Sequence, residues 1–204
     1  ILPNTLRILP LTGKPIFPGI FTPMMITDPD DIAVVEEALA ADKMIGMVLT
    51  KSEDSDRHEA DELFSVGTAA KIVKKINLPD GGLNIFISTL KRFSVKKVLS
   101  RGTPIVVAAE YLEDIIDEED QQELQALTRS LLSEMKQVSE NNPLFSEEMR
   151  LNMVNIDYPG KIADFITSIL NIDRAEQQQI LETADIKARM EQVLVHIKKE
   201  QELL

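Results

Sequence analysis

The sequence KIVKKINLPDGGLNIFISTL, residues 71–90, predicts a β-hairpin in the first half of the chain. Before the turn, apolar residues are interleaved with lysines, which is typical of a strand with one exposed face. Asp80 and Gly81 form the Asp-Gly pair that favours a tight reversal between two strands. Residues 64–78 and 83–99 are therefore expected to be paired antiparallel strands.

Strand-like sequence continues on both sides of this hairpin. Residues 6–11, 20–26, 44–50 and 104–112 are short apolar runs bounded by turn-forming or polar residues. Pro23 lies inside the second run and cannot donate a ladder hydrogen bond, so that strand is expected at an edge or a bulge. The pattern predicts a small, mainly antiparallel β-domain, and a closed or half-closed barrel would remove its free edges.

One helix is predicted among the strands. Asp28 is a suitable N-cap, Pro29 suits the first helical position, and the two aspartates that follow favour the positive end of the helix dipole. Ile32, Val35 and Leu39 then form one apolar stripe at helical spacing.

The charge distribution divides the chain near residue 112. Residues 1–112 carry 13 basic and 14 acidic residues, a net charge of −1, whereas residues 113–204 carry 9 and 20, a net charge of −11. The sequence therefore predicts an α+β protein with a β-rich domain over residues 1–113 and an all-α helical bundle over residues 117–204. The acidic second half should repel nucleic acid and anionic membrane surfaces.

The second half shows helical periodicity. Helices are predicted over residues 117–139, 146–153 and 159–170, and in a final long segment that starts near Ala184. Pro159 suits a first helical position, and Asp173 with Glu176 has capping-box spacing. Neither Gly nor Pro follows the last helix, so the natural helix is expected to continue past Leu204.

The sequence contains no recognisable catalytic constellation. It has no cysteine, no phosphate-binding glycine motif, and no apolar run of the roughly 18 residues that a transmembrane helix needs. His58 lies among acidic residues in a predicted charged loop, where a solvated loop is favoured over a cation site. His196 is expected on the exposed side of the last helix. No catalytic, cofactor-binding or metal-binding residue is therefore predicted.

A basic surface could form on the paired strands of the hairpin, and it would suit RNA. Its residues would be Lys71, Lys74, Lys75, Lys91, Arg92, Lys96, Lys97 and Arg101. Lysines that protect a strand edge from aggregation explain the same pattern, and the acidic second half opposes RNA binding.

An apolar segment at residues 16–25, IFPGIFTPMM, is the candidate binding surface. Exposed apolar patches usually mark binding sites, and methionine suits a surface that accepts many partners. The alternative is that these side chains fill the core. The candidate contact residues are Ile16, Phe17, Pro18, Ile20, Phe21 and Met24.

The order of several short motifs resembles the N-terminal region of ATP-dependent Lon proteases. The segments that carry the resemblance are 9–11 (LPL), 16–18 (IFP), 64–70 (FSVGTAA), 78–81 (LPDG), 85–93 (IFISTLKRF), 109–112 (AEYL), 158–165 (YPGKIADF), 179–182 (QILE) and 185–189 (DIKAR). They span nearly the whole chain in the family's order, which is more specific than any single motif.

The resemblance implies a PUA-like β-domain followed by a helical bundle and a long helix. It implies a non-catalytic role: capturing unfolded, damaged or degron-bearing proteins and supporting a hexamer, in the bacterial cytoplasm. ATP and Mg²⁺ would be used by the parent protease, not by these residues. The alternatives are a stand-alone Lon-domain module that binds a ligand or a protein, and a PUA-like RNA-binding module.

Overall fold

The computed structural model describes residues 1–53, 59–141 and 158–202. The chain divides into two compact units, Ile1–Leu112 and Glu113–Leu204, called here the β unit and the helical unit. No helix in the described ranges is both long and apolar enough to cross a lipid bilayer.

The described residues of the β unit form six strands and one α-helix. The strands are β1 (Thr5–Leu11), β2 (Phe21–Ile26), β3 (Met44–Leu49), β4 (Val66–Asn77), β5 (Leu83–Ser100) and β6 (Val106–Tyr111), and helix α1 spans Pro29–Leu39. A short 3-10 turn at Ala60–Glu62 precedes β4. Helix α1 begins as the sequence predicts, because the Asp28 carboxylate accepts the backbone N–H groups of Asp30 and Asp31.

The strands close into a ring, which confirms the expectation of a barrel. The order is β2-β5-β4-β3-β1-β6, and β6 also pairs with β5, so five strands surround the interior. Among these six strands, β1 and β3 form the parallel pair. β2 is joined to the ring through β5 alone, and this edge position accommodates Pro23 as predicted.

The length of β5 makes both of its partnerships possible. Its first part, from Leu83 to Ser88, pairs with β2, whereas its later part, from Phe93 to Ser100, pairs with β6. Its other edge pairs with β4, so the predicted hairpin is confirmed. The turn needs a glycine at position 81, where φ is +95°, a conformation that L side chains rarely adopt.

Two apolar clusters fill the β unit. One lies between α1 and the strands and includes Val35, Ile72, Ile85 and Ile87. The other surrounds the buried ring of Phe93. β3 is buried along its whole length, as its continuous apolar sequence predicts.

The described residues of the helical unit form four α-helices. They are α2 (Gln121–Asn141), α3 (Pro159–Ile169), α4 (Arg174–Glu182) and α5 (Ile186–Glu202), and a 3-10 turn at Glu118–Asp120 precedes α2. Helix α5 packs against α2 and α3. The mixed α+β class is therefore confirmed, whereas the predicted short helix over residues 146–153 lies outside the described residues.

Two predicted helix starts have different outcomes. Pro159 lies in the first turn of α3, as predicted. Asp173 precedes α4, but its side chain makes no capping hydrogen bond, so the predicted capping box is wrong there. Asp173 occupies the N-cap position with a φ of −58° and a ψ of 144°.

A buried arginine lies at the centre of the helical unit. The guanidinium of Arg189 is fully buried, and its Nη2 lies 2.8 Å from Asp114 Oδ1. Its Nε donates to the carbonyl oxygen of Thr183, and its Nη1 lies 3.6 Å from Asp164 Oδ1. A parallel bridge between Ile115 and Asp185 supports the same junction, so the segment that precedes α2 is fixed to the start of α5.

Candidate functional site

Exposed apolar side chains gather on the outer face of β2, β5 and β4. Phe21 and Met25 are 64% and 68% exposed, which is unusual for side chains of this size. The group, called here the outer apolar face, consists of Phe21, Pro23, Met25, Val73, Ile76 and Phe86.

The pairing of β2 with β5 explains why these side chains point outward. Successive residues of a strand point to opposite faces, and directly paired residues share a face. Pro23 pairs with Phe86, whereas Met24 pairs with the fully buried Ile85. The odd-numbered residues of β2 are therefore exposed, and the even-numbered ones turn toward the interior.

A β-bulge adds Val73 to this face. Ile72 pairs with Ile87 and Lys74 pairs with Phe86, so the register shifts and Val73 is the extra residue. A bulge turns a side chain out of the regular alternation, and Val73 is accordingly 55% exposed. Such a shift joins apolar residues of β4 to those of β2 and β5 on one surface.

Two aromatic rings form the centre of the outer apolar face. The rings of Phe21 and Phe86 are stacked, with centroids 6.3 Å apart and planes inclined by 23°. The face spans three strands, which corresponds to a width of about 10 Å between the outermost strand axes. A surface of this shape can hold the apolar side chains of one extended polypeptide segment.

Lysines lie along the β4 side of this face. Lys71 pairs in register with Ser88 and Lys74 with Phe86, so both ammonium groups are on the outer side, and both residues are exposed. Lys75 points the other way and forms a 2.9 Å ion pair with Glu36 of α1. The β2 side of the face is therefore apolar, whereas the β4 side carries two lysines beside Val73 and Ile76.

A family model described as the ATP-dependent protease La (LON) substrate-binding domain matches residues 5–199. The chain belongs to this family. The resemblance that the sequence motifs carry is thereby confirmed.

Known relatives agree with this assignment. The chain is 57% identical to the Lon protease of Treponema pallidum and 38% identical to that of Leptospira interrogans, over all 204 residues in both cases. It spans 23% and 24% of the length of these two relatives. In both relatives, the matched part is therefore about a quarter of a longer protease.

Solved structures show the same fold. The N-terminal domain of a Mycobacterium avium complex Lon protease matches with a TM-score of 0.75 at 18% identity, over 95% of this chain and 98% of the other. A Lon N-terminal domain protein from Xanthomonas campestris matches with a TM-score of 0.63 at 17% identity, over 94% and 97%.

Phe17 does not belong to the surface of this Lon substrate-binding domain, which corrects its place among the candidate contact residues. Its ring is 1% exposed and lies beneath the guanidinium of Arg92, 5.7 Å from the ring centroid. The hydroxyl of Thr89 donates to the Phe17 carbonyl oxygen, and the hydroxyl of Thr68 donates to that of Ile16. These contacts pin the segment against the barrel and turn the ring inward.

Of the other candidates, Phe21 alone is widely exposed. Ile16, Pro18, Ile20 and Met24 are half-buried, and the side chains of Ile16 and Met24 pack against the cluster under α1. Phe21 is instead joined by residues that sequence reasoning missed, from β4 and β5. The sequence signal that could have found those on β4 is the presence of Val73 and Ile76 among the lysines of that strand.

The predicted basic surface does not form as one patch. Arg92 is 3% exposed and lies over Phe17, Lys75 is paired with Glu36, and Arg101 lies 3.1 Å from Asp61. Lys71 and Lys74 lie beside the outer apolar face, whereas the pleat of β4 sends Lys75 to the opposite side.

The two histidines also differ from expectation. His58 lies outside the described residues. His196 is largely buried, so its predicted exposure is wrong, and burial lowers its pKa despite the opposing effect of Glu176 at 3.6 Å. Within the described ranges, no group of three or more acidic or histidine side chains is arranged to hold a metal ion.

Proposed function

We propose that this domain captures unfolded or damaged proteins on its outer apolar face and delivers them to the rest of an ATP-dependent Lon protease. The observation that carries the proposal is the clustering of Phe21, Met25, Val73, Ile76 and Phe86 on one exposed face. Folded proteins seldom expose such a cluster without a partner for it. Unfolded chains expose the complementary side chains.

The composition of the face supports broad rather than narrow recognition. Aromatic rings and methionine give large apolar contact area without directional hydrogen bonds. A surface of this kind accepts many sequences and discriminates by exposure of apolar side chains. Native proteins would be excluded, since their apolar residues are inside.

Each domain should bind a client weakly. A contact only three strands wide would bury little surface. Stable protein interfaces bury at least roughly 1,200 Å² in total, and we expect this contact to bury less. Several copies in a hexamer would raise the effective concentration for a long unfolded chain, and avidity would follow. We propose that the domain also supports assembly of that hexamer, in the cytoplasm.

The chemistry belongs elsewhere in this proposal. The sequence has neither a phosphate-binding loop nor a nucleophile-and-base constellation. ATP with Mg²⁺ and the peptide-cleaving groups would belong to other parts of the protease. The contribution of this domain is the choice of client.

Titration of a labelled, permanently unfolded protein tests the proposal. Phe21→Ser combined with Phe86→Ser should weaken binding at least about fivefold, because buried aromatic anchors supply most of the affinity at small interfaces. Leu99→Ser is the matched control, since Leu99 is 50% exposed on β5 but lies outside the outer apolar face.

The control should bind within about twofold of the parent chain, a difference below roughly 0.4 kcal/mol. Circular dichroism should show that all three chains fold alike. Equal affinity of the double variant and the control would remove the outer apolar face as the capture surface.

A further inference from the structure

The outer apolar face differs in charge from the rest of the chain. The whole chain has a net charge of −12. Two lysines and no acidic residue occupy the outward positions of three strand segments. These segments are β2, β4 from Lys71 onward, and the first part of β5. Positive charge is therefore placed beside exposed apolar groups, in a unit whose 13 basic and 14 acidic residues give a net charge of −1.

The surroundings of Lys71 and Lys74 differ from those of Lys75. Lys75 is neutralised by Glu36, 2.9 Å away, and supports α1. Among the described residues, neither Lys71 nor Lys74 has such a carboxylate partner, and both are exposed. Their charges remain available to a bound segment.

We propose that the outer apolar face selects client segments in which an apolar stretch is flanked by acidic residues, with Lys71 and Lys74 binding the acidic flank. This proposal rests on the proposed function and names its substrate class. The apolar part would lie over Phe21 and Phe86, and the carboxylates would lie along β4.

The geometry sets the spacing of such a segment. Phe21 and the two lysines are two strands apart, about 10 Å across the sheet. An extended client advances about 3.3 Å per residue, so a carboxylate about three residues from the apolar anchor reaches the lysines. The flexible lysine side chains extend this range to roughly two to five residues.

Three fluorescein-labelled peptides test the inference with the 204-residue chain. All share one apolar core with an aromatic residue at its centre, and their flanks carry three glutamates, three serines or three lysines. In low salt, the glutamate peptide should bind about three- to tenfold more tightly than the serine peptide, since exposed ion pairs contribute modestly. The lysine peptide should bind least tightly, and 0.5 M salt should reduce all these differences.

Charge reversal provides the matched comparison. Lys71→Glu with Lys74→Glu should invert the order of the glutamate and lysine peptides. Lys96→Glu with Lys97→Glu changes the net charge equally at exposed positions on the later part of β5, and it should leave the order unchanged. Equal affinity for all three peptides, or equal effects of both charge reversals, would overturn the inference.

The serine peptide separates this inference from the proposed function. Suppose that the Phe21→Ser, Phe86→Ser chain no longer binds the serine peptide, while the parent chain binds all three peptides with equal affinity. In that case only the charge preference fails. If no apolar peptide binds, the capture surface itself fails. The parent chain could also self-associate, and the double variant Lys71→Glu with Lys74→Glu could abolish that association. This result would overturn the inference, because the acidic partner of the two lysines would then be another copy of this chain.

Discussion

The β unit and the helical unit hold their distant segments together by different means. In the β unit, β1 and β6 are joined by a backbone ladder in which Thr5 pairs with Ala108. In the helical unit, Asp114 is joined to α5 by the side chain of Arg189. A backbone ladder tolerates many side-chain substitutions, whereas a buried guanidinium has no substitute among the other side chains. The two units should therefore respond differently to single substitutions.

The largest effect is expected for Arg189→Met. Removal of the buried guanidinium takes away the ion-pair partner of the Asp114 carboxylate and a positive charge beside Asp164, which costs about 3–5 kcal/mol. Denaturant unfolding followed by hydrogen exchange would measure the loss and locate it in the helical unit.

Arg129→Met is the control for this substitution, since Arg129 is exposed on α2. A loss no greater than that of the control would break the comparison between the units. Loss of protection in the β unit alone would break it as well.

The β unit has one position where the ladder itself is sensitive. A Cβ atom at Gly67 would clash with the carbonyl oxygen of Met47 and would lie 2.7 Å from Val48 Cγ2. Gly67→Ala should therefore force β3 and β4 apart and destabilise the β unit by about 1–3 kcal/mol. Thermal unfolding would show this as a lower midpoint.

Gly13→Ala is the matched control, because nothing lies within 4 Å of a Cβ at that position. Its midpoint should stay close to that of the parent chain. If both glycine variants unfold at the same temperature, the close approach of β3 and β4 does not limit the stability of the ladder.

The smallest effect is a pH dependence confined to the helical unit. The pKa of His196 is lowered, first by burial and then by nearby Lys199, while Glu176 acts in the opposite direction. The unfolded histidine therefore binds a proton at a higher pH than the folded one, so stability falls as the pH drops below about 6.5.

His196→Gln should flatten this dependence. Unfolding midpoints of the two chains at pH 7.5 and pH 5.5 measure the difference. An equal fall in both chains would assign the acid sensitivity to groups other than His196.

The local features of the chain could be predicted from its sequence, but the pairing registers of its strands could not. The hairpin, the cap of α1 at Asp28 and the buried β3 follow from residues that are neighbours in sequence. The outward position of Val73 depends on how β4 aligns with β5, which no local pattern encodes. For that reason, the sequence pointed to part of the candidate surface only.

Phe17 and Arg189 show the same limit at single residues. Phe17 and Phe21 are four residues apart and equally apolar, yet contacts from Thr89 and Arg92 bury only the first. Arg189 has the sequence surroundings of an exposed helical arginine. Its burial depends on Asp114, which is 75 positions away in the chain.

Ring closure has a consequence for synthesis of this protein. The first strand pairs with a partner about 100 residues later, so the ring cannot close until that partner has left the ribosome. At a synthesis rate of about 5–20 residues per second, this delay lasts roughly 5–20 s. During that interval the apolar sides of β1 and β3 are open to other nascent chains. A domain proposed to receive unfolded proteins therefore passes through a comparable state while it is being made.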